Sequence, residues 1–204
     1  KIGLNRPKNF FEEKKSYYLS AKLKEKKLKY KMGGMAHLNL IYNLNKHLMP
    51  KKILETGVAF GWSTLVLILS KTQNSELISI DLSYPAKSSE RFVAKALPYN
   101  FKNKFKLFMG IDHDYLNLFK NNKKKFDFIY VDGCHNPEYV KRDINNAFKF
   151  LEKNGILWMD DYLYGNRKEH IGRPKDVIDE FLKENAGKYE IIYKAYQIAI
   201  RKLY

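Results

Sequence analysis

A single cysteine, Cys134, occurs in 204 residues. One cysteine excludes an internal disulfide framework and a multi-cysteine zinc site, and it points to a reducing compartment, most simply the cytoplasm. Long apolar runs are also missing. The longest is Leu65-Val66-Leu67-Ile68-Leu69, far short of the roughly 20 residues that cross a bilayer. No signal-peptide pattern is visible from Lys1 onward, and because the first residue is not Met a preceding segment stays open. Repeats and low-complexity segments are absent. Arginine is scarce: 6 of the 38 cationic side chains, the other 32 being lysine. Arginine is the residue that reads base edges and grips phosphate bidentately. The net charge of +16 therefore draws phosphates or an anionic surface without a matching recognition chemistry, and a lysine-heavy composition is an equal account of it.

What is present suits one globular domain with an appended arm. Apolar residues make up 45% and charged residues 29%, enough to bury a core. Residues 1–31 hold 11 cations and 3 anions, half of the net charge. Phe10, Phe11, Tyr17, Tyr18, Leu19, Leu23 and Leu28 recur there at loosely helical spacing. This predicts a basic amphipathic arm over residues 1–34, packed on the domain or on a second copy in a homodimer. A lid over the substrate or an anionic-surface contact is the sharper reading. Met32-Gly33-Gly34-Met35 breaks the pattern, and residues 35–204 form the domain proper.

From there the chain alternates. A helix is expected over 36–48. Short β-rich runs follow at 52–55, 77–81, 105–109, 126–131 and 155–160, with helices near 62–71, 87–97, 114–121, 137–152 and 174–185. Such alternation means a doubly wound α/β fold with a parallel sheet covered on both faces. The runs 189–195 and 197–202 follow each other almost directly and predict an antiparallel pair.

In such a sheet, ligands bind beyond the carboxyl ends of the strands. The first run ends Glu55-Thr56-Gly57-Val58-Ala59-Phe60-Gly61-Trp62-Ser63. It fits neither the G-x-G-x-x-G dinucleotide pattern nor the phosphate-binding P-loop. Gly57 permits a sharp turn and close approach of a ligand to the backbone, and Gly61 opens the next helix. The second run ends in Asp81, 20 residues beyond Gly61, where a carboxylate can take both hydroxyls of a ribose or stand as a plain loop acid. Turn and acid together point to a nucleoside-containing ligand. The third run ends Met109-Gly110-Ile111-Asp112, where Gly110 can admit a flat ring.

The fourth run leads into Asp132-Gly133-Cys134-His135 and the fifth into Asp160-Asp161-Tyr162. If these strands are neighbours, about 4.8 Å apart, Asp132, Asp160 and Asp161 converge on one rim. Crowded carboxylates force one to protonate unless a cation lies among them. A hard divalent ion such as Mg²⁺ suits this oxygen-rich set better than zinc. Capping of a turn by Asp160 or Asp161 is the plainer alternative. His135 is placed to act as a general base or to bond its own loop. His37, His47, His113 and His170 have no comparable sequence neighbours.

These motifs, in this order, resemble the class I S-adenosylmethionine-dependent methyltransferases, and within them the metal-dependent O-methyltransferases of the catechol type and the bacterial sugar and macrolide type. Glu55 through Ser63 resembles their Glu-x-Gly-x-x-x-Gly-aromatic-Ser motif, Asp81-Leu82 the ribose-binding segment, Gly110-Ile111-Asp112 the segment flanking adenine, and Asp132-Gly133-Cys134-His135 the Asp-Gly-x-His element. The resemblance implies a Rossmann-like seven-stranded sheet ending in an antiparallel hairpin. It implies S-adenosyl-L-methionine held by Glu55, Gly57, Gly61, Ser63, Asp81, Leu82, Gly110, Ile111, Asp112 and Asp132. It implies Mg²⁺ or another divalent ion on Asp132, Asp160 and Asp161, with His135 as the catalytic base. The expected activity is O-methylation of a small hydroxylated acceptor such as a sugar, with Tyr162, Tyr164, Arg167 and His170 near its pocket. Ala59 replaces the middle glycine of the broader pattern, and Asn154 stands where glycine is common. The competing readings are a nucleic-acid methyltransferase, a non-catalytic relative and, least favoured by the glycine pattern, an NAD-dependent oxidoreductase.

Overall fold

A computed structural model describes residues 7–28, 32–35, 37–82, 89–110, 119–121, 123–164 and 173–204. The expected helix over 114–121 falls almost wholly outside the described residues, as do Ile111, Asp112, His113, Arg167 and His170.

Seven strands form one sheet: β1 (Lys52–Thr56), β2 (Glu76–Asp81), β3 (Lys106–Met109), β4 (Phe126–Val131), β5 (Leu151–Met159), β6 (Tyr189–Lys194) and β7 (Ile198–Lys202). Their order is β3-β2-β1-β4-β5-β7-β6. The first five pair in parallel, and β7 runs antiparallel to both β5 and β6. The order in which strands are added reverses between β1 and β4, which makes their carboxyl ends the topological switch point.

Alternation along each strand decides what each face buries. Ile53, Phe128, Tyr130, Ile156 and Trp158 face one core, while Leu54, Ile129, Val131, Leu157 and Met159 face the other. The first core is covered by the helices α3 (Leu38–Leu48) and α4 (Trp62–Ser70). The second is covered by α5 (Pro137–Phe150) and α6 (Pro174–Glu184). Helix α4 is apolar almost all round and buried along its length, as a helix wedged between sheet and arm must be. Helix α5 starts where Asn136 caps it, its side chain accepting from the Glu138 N–H at 3.0 Å, with Pro137 in the first turn.

The arm packs on its own domain. A single turn, α1 (Phe10–Glu13), precedes α2 (Lys15–Glu25). Phe10 and Ala21 are fully buried in the first core. The Phe10 ring lies 5.4 Å from that of Tyr42, and Tyr18 packs against Trp62. The indole N–H of Trp62 donates to Glu25 at 2.9 Å. Lys8, Lys15, Lys26 and Lys27 of the arm are exposed, while Lys24 reaches back to donate to the Leu97 carbonyl at 2.7 Å.

Two local expectations are corrected. Residues 89–97 form no α-helix; Ser89–Phe92 is a 3₁₀ turn. Instead of continuing a helix, the Ala94 and Ala96 N–H groups donate to the carbonyls of Ala59 and Phe60. A helical stretch is thereby traded for a brace under the glycine turn. The helix expected to reach residue 152 stops at Phe150, and β5 begins at once with Leu151. Asn154 takes a left-handed backbone, φ 63°, at the register shift opposite Phe126 and Phe128.

Truncating Phe10 to alanine empties a site with no solvent exposure. Urea denaturation is expected to show a loss of about 3–5 kcal/mol. A loss below about 1 kcal/mol would mean that the arm does not share the core.

Candidate active site

Four backbone bonds gather the strand ends into one rim. The Gly110 N–H donates to the Asp81 carbonyl, Gly57 N–H to Ile80, Asp132 N–H to Thr56 and Asp160 N–H to Val131, at 2.7–2.9 Å. Each extends the ladder one residue past its strand, so the side chains that follow are set in register with their neighbours.

At the switch point, Gly57 has φ 87° and lies against the Asp132 backbone; a Cβ there would sit 1.8 Å from the Asp132 carbonyl oxygen. Only glycine fits. Gly61, with φ 98°, precedes α4 and abuts Ala94. Ala59 keeps the left-handed backbone, φ 48°, at the place of the absent middle glycine. Asp81 organises this turn: its Oδ2 accepts the N–H groups of Val58 at 2.9 Å and Ala59 at 2.6 Å. Burial raises the Asp81 carboxyl above its usual range, and these backbone donors oppose that rise.

Glu55 does not face the ligand space. It is fully buried beneath the turn, and both oxygens are taken. Ser63 O–H donates to Oε1 at 2.6 Å; Thr64 and Ser79 donate to Oε2 at 2.8 and 2.6 Å. Burial pushes Glu55 up to about 7, against the pull of these hydroxyls.

A cavity of about 800 Å³ opens over the rim. Gly57, Gly61, Ser63, Asp81, Leu82 and Gly110 line one end. Asp132, His135, Asp160 and Asp161 line the other, so β4 and β5 do bring the acids together. They are not equivalent. The Tyr130 hydroxyl donates to Asp160 Oδ2, and the Asp161 N–H donates to Asp160 Oδ1 at 2.7 Å. Among the described residues, the side chains whose donor atoms fall within 4.8 Å of one another are Asp132, His135 and Asp161. His135 Nε2 lies 2.7 Å from Asp161 Oδ2.

The electrostatics sort the acids further. Burial, and then repulsion from Asp160, Asp161 and Glu55, holds the Asp132 carboxyl well above the usual range. Burial also raises Asp160, against the Tyr130 hydrogen bond. Burial acts upward on Asp161 too, but hydrogen bonds from His135 and Tyr196 outweigh it and keep its carboxyl low. The excess of negative charge where Asp132 and Asp161 meet is an oxygen donor set that fits a hard divalent cation, with His135 beside it.

Sequence reading missed several residues of the cavity. Gly33, Gly34, Met35 and His37 line it from the link between arm and domain, and Tyr196 from the turn between β6 and β7. The Tyr196 ring lies 5.8 Å from that of His37, and Tyr164 lies 4.3 Å from His135. Only the glycine pair 33–34 carried a local signal, as a break in the helical pattern. Tyr162 departs from expectation: it is buried, and its hydroxyl donates to Asp179 at 2.8 Å.

A sheet in this order, with its reversed last strands and a glycine turn facing an acid at the neighbouring strand end, has the architecture of the class I S-adenosylmethionine-dependent methyltransferases. A family model described as a methyltransferase domain matches residues 54–162, more than half of the chain, and the chain belongs to that family. No curated protein matches it by sequence. Among solved structures it is similar to an O-methyltransferase from Bacillus cereus in complex with SAH: TM-score 0.68, 14% identity, 97% of this chain and 92% of that one covered. It is also similar to the O-methyltransferase TomG from Streptomyces achromogenes, involved in tomaymycin synthesis, in complex with SAM (TM-score 0.67, 17% identity, 92% and 89% covered). A third is the SAH-bound Podospora anserina methyltransferase PaMTH1 (0.69, 17%, 93% and 88%). At these identities the likeness is one of fold. Among the described residues, no helix is long and apolar enough to cross a membrane.

The Glu55 site makes a pH prediction. The unfolded chain releases this proton near 4.5, the folded chain near 7. Stability therefore falls as pH rises through that window, by about 3 kcal/mol for this group. Glu55→Gln removes the fall. Unfolding free energies across the window should improve for the variant relative to wild type as pH rises, whereas a constant difference would place the Glu55 carboxyl at its ordinary value.

Proposed function

We propose that this chain is an S-adenosylmethionine-dependent O-methyltransferase that modifies a hydroxyl of a small molecule with the help of a divalent cation. The observation that carries this reading is one continuous cavity: the glycine turn and Asp81 stand at one end and the Asp132–His135–Asp161 group at the other. A donor and an acceptor bound at the two ends would meet over the rim.

When bound, S-adenosylmethionine supplies an activated methyl group and a divalent ion supplies Lewis acidity at the acceptor oxygen. The chain supplies the rest. Asp81 fixes the turn that cradles the donor and offers a carboxylate to its ribose. Asp132 and Asp161 hold the cation. His135 takes the acceptor's hydroxyl proton on its imidazole, and Asp161, 2.7 Å from Nε2, stabilises the imidazolium formed. Tyr164, Tyr196, His37 and Met35 wall the acceptor end. Most of the gain comes from orientation, since displacement at a methyl group asks for an in-line approach.

Calorimetric titration of S-adenosylhomocysteine, with Mg²⁺ and then with EDTA, tests the cofactor end. Micromolar binding is expected, and its absence in both buffers would sink the reading. Asp81→Ala should weaken that binding at least tenfold; an unchanged dissociation constant would remove Asp81 from the site. His135→Ala should bind S-adenosylhomocysteine like wild type. With an acceptor found by screening hydroxylated small molecules, it should lose about 10²–10⁴-fold in turnover. A full-rate variant would exclude His135 as the base.

A further inference from the structure

Asp161 is held in an unusual way. Its backbone is left-handed, φ 53°, a conformation that costs a non-glycine residue energy and persists only where the surroundings enforce it. Its carbonyl accepts the Tyr164 N–H at 2.8 Å, and its own N–H is spent on Asp160. The turn bends the chain so that the carboxylate faces Asp132 and His135 rather than solvent. Backbone geometry does not decide which oxygen faces the site, because rotation about the last bond of an aspartate is soft.

That choice is made by the neighbouring hairpin. The Tyr196 hydroxyl donates to Asp161 Oδ1 at 2.6 Å, which leaves Oδ2 toward His135. Tyr196 is itself fixed. It sits at the turn that joins β6 to β7, a turn tightened by the Ala195 N–H donating to the Gln197 carbonyl at 2.8 Å. Its own carbonyl accepts the Leu163 N–H at 3.1 Å, so the two loops are tied by backbone as well as side chain. The next residue, Gln197, is fully buried, and its side-chain amide has no hydrogen-bond partner among the described residues.

We propose that Tyr196 is a positioning residue for the cation: through its hydroxyl it presents Asp161 Oδ2 to the shared site with Asp132. The proposal rests on the reading that Asp132 and Asp161 hold a divalent ion. Partners that orient ligating carboxylates commonly change metal affinity by 10–100-fold when removed. A residue that merely closes a turn would change none of it, because phenylalanine keeps the ring and its contact with His37.

The test is Mn²⁺ binding, read by the electron-spin signal of the free ion, for wild type, Tyr196→Phe and Tyr193→Phe. Tyr193 lies on the same hairpin but stacks on Trp158, so it controls for general loosening. About tenfold weaker Mn²⁺ binding is expected for Tyr196→Phe alone. Its affinity for S-adenosylhomocysteine should stay within twofold of wild type. Equal Mn²⁺ affinity in Tyr196→Phe and wild type would overturn the positioning role, as would an equal loss in both variants. A wild type that binds no Mn²⁺ would overturn the metal reading itself, and that failure is visible before any variant is made.

Discussion

Gly57 and Asp132 touch backbone to backbone, with no room for even one methyl group between them. That contact joins the two ends of the cavity. The turn that follows β1 and the acid that follows β4 are adjacent because their strands pair in register, Thr56 beside Val131. A side chain at position 57 would drive the two apart and separate whatever the turn binds from whatever Asp132 binds. The neighbouring strands then fall into place on either side: Asp81 at the end of β2 reaches back to the turn, and Asp160 and Asp161 beyond β5 close on Asp132.

The charge of the molecule is divided. Its sequence is rich in lysine, yet the cavity rim gathers carboxylates that repel one another, and Asp132 bears most of that repulsion. The protein answers with hydroxyls rather than cations: Ser63, Thr64 and Ser79 on Glu55, Tyr130 on Asp160, Tyr196 on Asp161. Hydroxyl donors stabilise a carboxylate without neutralising it. A lysine in their place would satisfy the acids permanently and take the position that a dissociable ion can fill.

Strand ends were legible in the sequence because an apolar run that stops at glycine or aspartate carries two signals at once. Gly57, Asp81, Asp132 and Asp161 stand at such ends, and all four line the cavity. Glu55 was misplaced because a carboxylate at a strand end looks the same whether it faces a ligand or the hydroxyls of the next helix. Its satisfaction depends on Ser79 of another strand, which no local pattern announces. His37 and Tyr196 were out of reach for a related reason. Each is brought to the cavity from a distant part of the chain, one by the docking of the arm and the other by the hairpin. The stretch at 89–97 had helical composition, but its N–H groups bond the loop at 59–60 instead, a tertiary demand that outweighs propensity.

The strand order has a consequence for how the protein is made. β7 is the last strand in the sequence but lies inside the sheet, between β5 and β6. On the ribosome, β6 emerges with no edge of its own to join, because the free edge of β5 pairs only with β7. The hairpin must therefore add as a unit once Lys202 is out. Tyr196 arrives with it, so Asp161 gains its hydroxyl partner only at that last step. The wall that Tyr196 gives the cavity is therefore complete only once this hairpin has docked.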